Sequence, residues 1–255
     1  MDKIKKGVRV IFSQIARPTI VGNPAPMKGK ISEIFRSMQG EGIYAGMIEQ
    51  IFIRFSGCNL KCSFCDTPNK RFREYTAESV LKKVKNLSKS ENIHSISITG
   101  GEPLLQINFL EHLCNMLKKN KFKTYLETNG VMYNNLKRII KSVDYVSMDF
   151  KLPSSTGLIT FWQEHLEFLK IASKKEVFVK AVITSNTELD EIRKSSEIIA
   201  SVDKSIPLIL QPVTAVNPSC NLPSSSQTFK FLKVSKEFLT DVRVIPQLHK
   251  IIGIE

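Results

Sequence analysis

From about residue 31 onward the chain alternates short apolar, β-rich runs with longer stretches whose apolar positions recur at helical spacing. Residues 50–55, 95–99, 123–127, 145–150, 177–183 and 207–211 predict strands. The last has little internal polarity, and runs of this kind suit parallel strands buried on both faces. Residues 76–87, 108–118, 135–142, 163–172 and 187–201 predict helices, the first opening on Thr76 as an N-cap. Strand then helix, repeated about six times, is an α/β pattern. Right-handed crossovers then leave a doubly wound sheet or a partial (β/α) barrel. In either, strand C-terminal ends converge on the active site. The polar, Gly-bearing clusters do fall just after strands: Thr99-Gly100-Gly101-Glu102-Pro103, Glu127-Thr128-Asn129-Gly130, Asp149-Phe150-Lys151 and Gln211-Pro212-Val213-Thr214. No internal repeat or linker interrupts 31–255, which reads as one domain preceded by a basic, irregular extension over 1–30.

Composition narrows the class. With 255 residues and 42% hydrophobic content the chain can bury a sizeable core, which excludes disordered, collagen-like and low-complexity classes. Charges, Gly or Pro interrupt every apolar run before it reaches membrane-spanning length, so a soluble chain is expected. The net charge of +13 invites a nucleic-acid reading. However, residues 1–30 carry seven basic side chains against Asp2 alone. The clusters Lys82, Lys83, Lys85 and Lys118, Lys119, Lys121, Lys123 interleave with helix and strand positions, as solvated faces do. Nucleic acid is therefore not the expected partner. Five cysteines, three of them within eight residues, are no disulfide framework, and without a secretory h-region a reduced, cytoplasmic setting is expected.

Cys58, Cys62 and Cys65 are spaced C-x3-C-x2-C in the loop after the first predicted strand. A structural zinc site would want a fourth Cys or His at recognisable spacing, yet His94, His112, His165 and His249 are dispersed. Three thiolates suit a 4Fe–4S cluster with one iron left open to a small molecule. Cys114, among Leu110, Leu113 and Leu117, reads as core, and Cys220, among Pro and Ser, as an incidental thiol.

That spacing, with Phe64 before the last cysteine and Gly100-Gly101-Glu102-Pro103 after the second predicted strand, resembles the radical S-adenosylmethionine (SAM) superfamily. Further stretches resemble one family within it, the 7-carboxy-7-deazaguanine synthases of the queuosine pathway. They are Glu33-Ile34-Phe35, Met38-Gln39-Gly40-Glu41-Gly42, Phe52-Ile53-Arg54, Gly57-Cys58-Asn59-Leu60, Cys65-Asp66-Thr67, ITGGEPLLQ at 98–106, LETNG at 126–130, DFKLPSS at 149–155, Gln211-Pro212-Val213-Thr214 and VRVIPQLHK at 242–250. They cover about residues 31–251 in the expected order.

The resemblance implies a partial (β/α)6-type barrel with parallel strands and the cluster loop after the first strand. It also implies contraction of 6-carboxy-5,6,7,8-tetrahydropterin to 7-carboxy-7-deazaguanine with loss of ammonia. The reduced cluster would cleave SAM, the 5′-deoxyadenosyl radical would take the substrate's C6 hydrogen, and SAM would be re-formed with help from Mg2+. By position, Cys58, Cys62 and Cys65 would hold the cluster. Met38, Gln39, Gly40, Glu41, Arg54 and Thr99 would hold the pterin, with Arg54 meeting its carboxylate. Phe64, Asp66, Gly101, Asp149, Phe150, Lys151, Gln211, Pro212, Val213 and Thr214 would hold SAM, and the Thr67 hydroxyl would sit on Mg2+.

Each assignment has a structural counterpart. Arg54 could instead pair with a neighbouring acid, Glu41 could cap the turn between Gly40 and Gly42, Glu102 could buttress its own turn, Thr67 could be a turn residue before Pro68, and Lys151 could be an exposed strand-end lysine. His249 could pack or act in the site. The resemblance further implies a flavodoxin-like electron donor and a homodimer, although a C-terminal element or residues 1–30 could cover the barrel's open edge instead. Another radical SAM enzyme, a glycyl-radical activase or a nucleic-acid modifier, is the alternative, as is a non-catalytic zinc module.

Overall fold

All six expected strands form, and they add to the sheet in chain order. The computed structural model describes residues 26–65, 71–89, 92–214 and 221–253. Its elements run β1 (Lys28–Met38), β2 (Glu49–Phe55), β3 (Arg73–Thr76), α1 (Ala77–Leu87), β4 (Ser95–Gly100), α2 (Ile107–Lys119), β5 (Thr124–Thr128), α3 (Tyr133–Ile139), β6 (Tyr145–Phe150), α4 (Pro153–Thr156), α5 (Trp162–Ala172), β7 (Glu176–Ile183), α6 (Leu189–Asp203), β8 (Leu208–Pro212), α7 (Ser225–Ser235), β9 (Val242–Val244) and α8 (Leu248–Ile252). The sheet order is β3-β1-β2-β4-β5-β6-β7-β8-β9. From β2 to β9 every pairing is parallel, while β1 runs antiparallel to both β2 and β3. A doubly wound sheet reverses its strand order at a switch point. Here the order never reverses between β2 and β9, so the architecture is the partial barrel, open between its ends.

The strands the sequence did not announce lie at those ends. β1 borders β2 and β3 borders β1 at one end, and β9 borders β8 at the other, so the sheet ends on the short strands β3 and β9. β1 begins at Lys28, inside the segment expected to be irregular. Thr76 caps α1 as expected, its side chain accepting from Ser79 N at 3.3 Å. Lys82, Lys83 and Lys85 on α1, and Lys118, Lys119, Lys121 and Lys123, are exposed. No helix among the described residues is long and apolar enough to cross a membrane.

Period-two alternation divides the strands between two environments. Ile51, Ile53, Phe55, Ile96, Ile98, Leu126, Val146, Met148, Val179, Ala181, Leu208 and Leu210 face the helices and form the main core. Cys114 is fully buried within it, and burial pushes its thiol up to about 12, as befits a core residue. The opposite face is the barrel lumen, and much of it is polar. At one end Tyr125, Tyr145, Phe178 and Ile209 pack with Ile43, Tyr44 and Ile245 into a second apolar cluster that seals it.

Candidate active site

The lumen opens into a cavity of about 890 Å3 that brings together nearly all of the expected site residues: Met38, Gln39, Gly40, Glu41, Arg54, Cys58, Cys62, Phe64, Cys65, Thr99, Gly101, Asp149, Lys151, Gln211, Val213 and Thr214. Two expected residues do not line it. Phe150 alternates away from Asp149 and Lys151 into the main core, where its ring stacks on His165 with centroids 4.5 Å apart. Pro212, at the end of β8, is also absent from the lining, while its neighbours Gln211 and Val213 face inward. Asp66, Thr67 and Cys220 lie outside the described residues.

Cys58, Cys62 and Cys65 are free thiols following β2. Burial raises the Cys58 and Cys62 thiols, and Lys151 counters it at both. Leu60 N donates to Cys58 Sγ at 3.4 Å. The Gly100-Gly101 pair docks the β4 turn against this loop: Gly101 N donates to Phe55 O at 3.1 Å and Glu102 N to Gly57 O at 2.9 Å. Gly100 has φ +126°, and a Cβ on Gly101 would overlap the Gly57 carbonyl, so only glycine permits this approach. Glu102 turns inward, accepting from Leu104 N, Asn129 N and Thr128 Oγ1 at 2.8–3.0 Å. It is fully buried, and burial outweighs these donors and lifts its carboxyl to about 7. Glu102 therefore buttresses the turn.

The donor set fits an iron–sulfur cluster and SAM. Among the described residues no three His, Cys, Asp or Glu side chains converge on a single metal ion. The three thiols share one loop and one cavity, a layout suited to a cluster in which each thiolate meets a different iron. Beside them Asp149 Oδ1 and Gln211 Oε1 are buried acceptors without a hydrogen bond. Lys180 Nζ approaches Asp149 Oδ1 only as an ion pair at 3.3 Å. Such orphaned acceptors suit a ligand rich in donors.

The 39–42 turn enters the lumen from the strands' N-terminal end, since Met38 pairs with Glu49 at the start of β2. Gln39 Nε2 donates to Gln50 Oε1 and to Glu127 Oε1, each at 3.0 Å, and Thr99 Oγ1 donates to Glu127 Oε2 at 2.9 Å. Glu41 does not cap its turn; its carboxylate meets Lys180 Nζ and Gln247 Nε2. Burial would raise the Glu41 carboxyl, but Lys180 and Gln247 together bring it down to about 2. Arg54 does pair with an acid, its Nε donating to Glu33 Oε2 at 2.9 Å, and its guanidinium lies 5.5 Å from the Phe35 ring centre while still lining the cavity. Lys151 is only partly exposed, its side chain at 11%, and is not a solvated strand end: it donates to Asp149 Oδ2 at 2.8 Å and lies over the Phe64 ring.

Sequence reasoning missed Lys180 and gave no individual role to Glu127 or Gln247, which stood inside the motifs LETNG and VRVIPQLHK; all three line the cavity. A charged residue inside a run such as EVFVKAVI was the available signal for Lys180. His249, left open above, lines the cavity and packs so closely on Gly40 that a Cβ there would overlap its ring.

With this geometry in place, likeness to known proteins is informative. The radical SAM superfamily model matches residues 52–191. The 7-carboxy-7-deazaguanine synthase of Geobacter sulfurreducens is 38% identical over 245 residues, covering 88% of this chain and 97% of the relative. The enzyme of that name from Methanothermobacter thermautotrophicus is 34% identical, covering 89% and 98%. Among solved structures, TYW1 with a lysine-pyruvate adduct bound aligns with TM-score 0.55 over 75% of each chain; at 18% identity that likeness speaks to the fold alone. On the superfamily match and the near full-length likeness to these two relatives, the chain belongs to the radical SAM superfamily and, within it, to the 7-carboxy-7-deazaguanine synthases.

Proposed function

We propose that this chain converts 6-carboxy-5,6,7,8-tetrahydropterin to 7-carboxy-7-deazaguanine with loss of ammonia, as a carbon–nitrogen lyase. The observation that carries the reading is one continuous lumen with three thiols at one end and the Gln39–Glu127–Thr99 hydrogen-bond network, Glu41 and Arg54 along its wall. Cluster and SAM together supply the one-electron chemistry that removes hydrogen from an unactivated ring carbon, which no side chain can do.

The protein's part is placement and exclusion of water. Cys58, Cys62 and Cys65 hold the cluster. Phe64, Asp66, Gly101, Asp149, Lys151, Gln211, Val213 and Thr214 hold SAM, with the backbone at Phe150 and Pro212 shaping that wall. Arg54, steadied by Glu33 and Phe35, presents a planar guanidinium to the pterin carboxylate. Gln39, Gly40, Glu41 and Thr99 meet the ring edge, and Met38 borders it. The apolar seal of Tyr125, Tyr145 and Phe178 closes the far end to solvent. The Thr67 hydroxyl would help to hold Mg2+, which would supply charge stabilisation to the rearrangement; a flavodoxin-like protein delivers the electron, and the enzyme works as a cytoplasmic homodimer.

The test is an anaerobic assay with reconstituted cluster, dithionite, Mg2+, 6-carboxytetrahydropterin and substoichiometric SAM. Accumulation of 7-carboxy-7-deazaguanine beyond the SAM supplied is expected. Cleavage of SAM without that product would overturn the substrate and favour another radical SAM activity.

A further inference from the structure

Lys180 is a charge placed where a barrel strand should bury an apolar residue. It sits mid-way along β7, opposite Asp149 of β6 in register, with its side chain only 8% exposed. An ammonium taken that far from water is costly unless paired, and two carboxylates meet it: Glu41 Oε2, and Asp149 Oδ1 at 3.3 Å. Burial would lower the Lys180 ammonium, yet Asp149 and Glu41 hold it well above its ordinary value. Asp149 passes the connection on through Oδ2 to Lys151 at 2.8 Å, and Lys151 reaches the Phe64 ring beside Cys65.

We propose that Lys180 is a positioning residue shared by two ligand subsites, holding Glu41 for the pterin and Asp149 for SAM, so that occupancy of one subsite is felt at the other. The inference rests on the subsite assignments above. Two carboxylates divide one ammonium, so neutralising either throws the whole cation onto the other. That second carboxylate is then drawn toward Lys180 and out of the position its own ligand requires. Coupling through a shared group must be reciprocal in binding.

The test measures binding without turnover, by calorimetry on the holoenzyme with its cluster oxidised. Lys180→Met is expected to weaken SAM and the pterin each at least tenfold, and Lys180→Arg to restore most of both, which loss of mere packing would not allow. Should Lys180→Met fail to fold, Glu41→Gln serves: it is expected to loosen SAM severalfold although Glu41 lies in the pterin subsite, and Asp149→Asn to loosen the pterin by a similar factor. Unchanged SAM affinity in Glu41→Gln, or loss at only one subsite in Lys180→Met, overturns the proposal. The SAM arms are readable without pterin: if the unaltered holoenzyme fails to bind the pterin, the substrate reading fails, while the SAM response of Glu41→Gln still decides the role of Lys180.

Discussion

Gln247 Nε2 donates to Glu41 Oε1 at 2.6 Å, joining side chains 206 residues apart. Leu248 N adds a bond to Gly40 O at 2.9 Å, so the start of α8 is latched onto the turn assigned to the pterin. Gln247→Ala is expected to raise the substrate Kd about tenfold, the loss of roughly one charge-assisted hydrogen bond. SAM affinity should move less than about twofold, because Glu41 keeps its charge and its contact with Lys180. Calorimetric titration of each ligand checks both.

The Arg54–Glu33 pair at 2.9 Å, with Phe35 beneath the guanidinium, fixes the plane of a cation that lines the cavity. Removing a bidentate carboxylate contact costs about 2–3 kcal/mol. Arg54→Ala should therefore raise the substrate KM roughly 30- to 150-fold, with substrate-free SAM cleavage changed less than about threefold. Equal loss of both in steady-state assays would move Arg54 out of the pterin subsite.

Gly101 leaves no room for a Cβ against the Gly57 carbonyl, so Gly101→Ala must push the β4 turn off the cysteine loop. The expected outcome is a fold kept, at a cost of about 1–3 kcal/mol, with iron and labile sulfide per chain falling well below the unaltered protein after identical reconstitution. Cys62→Ala should lose SAM cleavage altogether with an unchanged circular dichroism spectrum. Full iron retention by Gly101→Ala would show that the loop does not depend on this close approach.

The parallel strands and most helices were legible because apolar runs and helical spacing are local signals. The site was legible where chemistry is concentrated in short motifs, as in 58–65 and 100–103. Lys180, and the individual roles of Glu127 and Gln247 within their motifs, were not, because each draws its meaning from a partner far away in sequence: Glu41, Gln39 and again Glu41. β1 and β9 were missed for a related reason. Neither carries a clean pattern, since β1 is only partly buried along most of its length and β9 has one buried residue in three. Phe150 shares a motif with Asp149 and Lys151 yet sends its side chain to the core, because a strand sends alternate residues to opposite faces.

Glu102, fully buried, carries a carboxyl lifted to about 7 from an ordinary value of 4.5. Below 4.5 the acid is neutral in both folded and unfolded chains and costs nothing. As pH rises from there the unfolded chain ionises first, so stability falls, and above about 7 the penalty is complete, on the order of 3 kcal/mol. Denaturant midpoints at pH 5 and pH 8 should therefore differ more in the unaltered protein than in Glu102→Gln, which cannot ionise. Equal differences in the two proteins would remove Glu102 as the source.

The central claim is that the pterin's C6 hydrogen is taken within this one lumen by chemistry launched from the three-cysteine loop. The most direct measurement is a single-turnover reaction with substrate deuterated at C6, followed by mass spectrometry of the recovered SAM. Deuterium appearing in SAM alongside 7-carboxy-7-deazaguanine is the predicted result; product formed with no deuterium passing to SAM or to 5′-deoxyadenosine would contradict it.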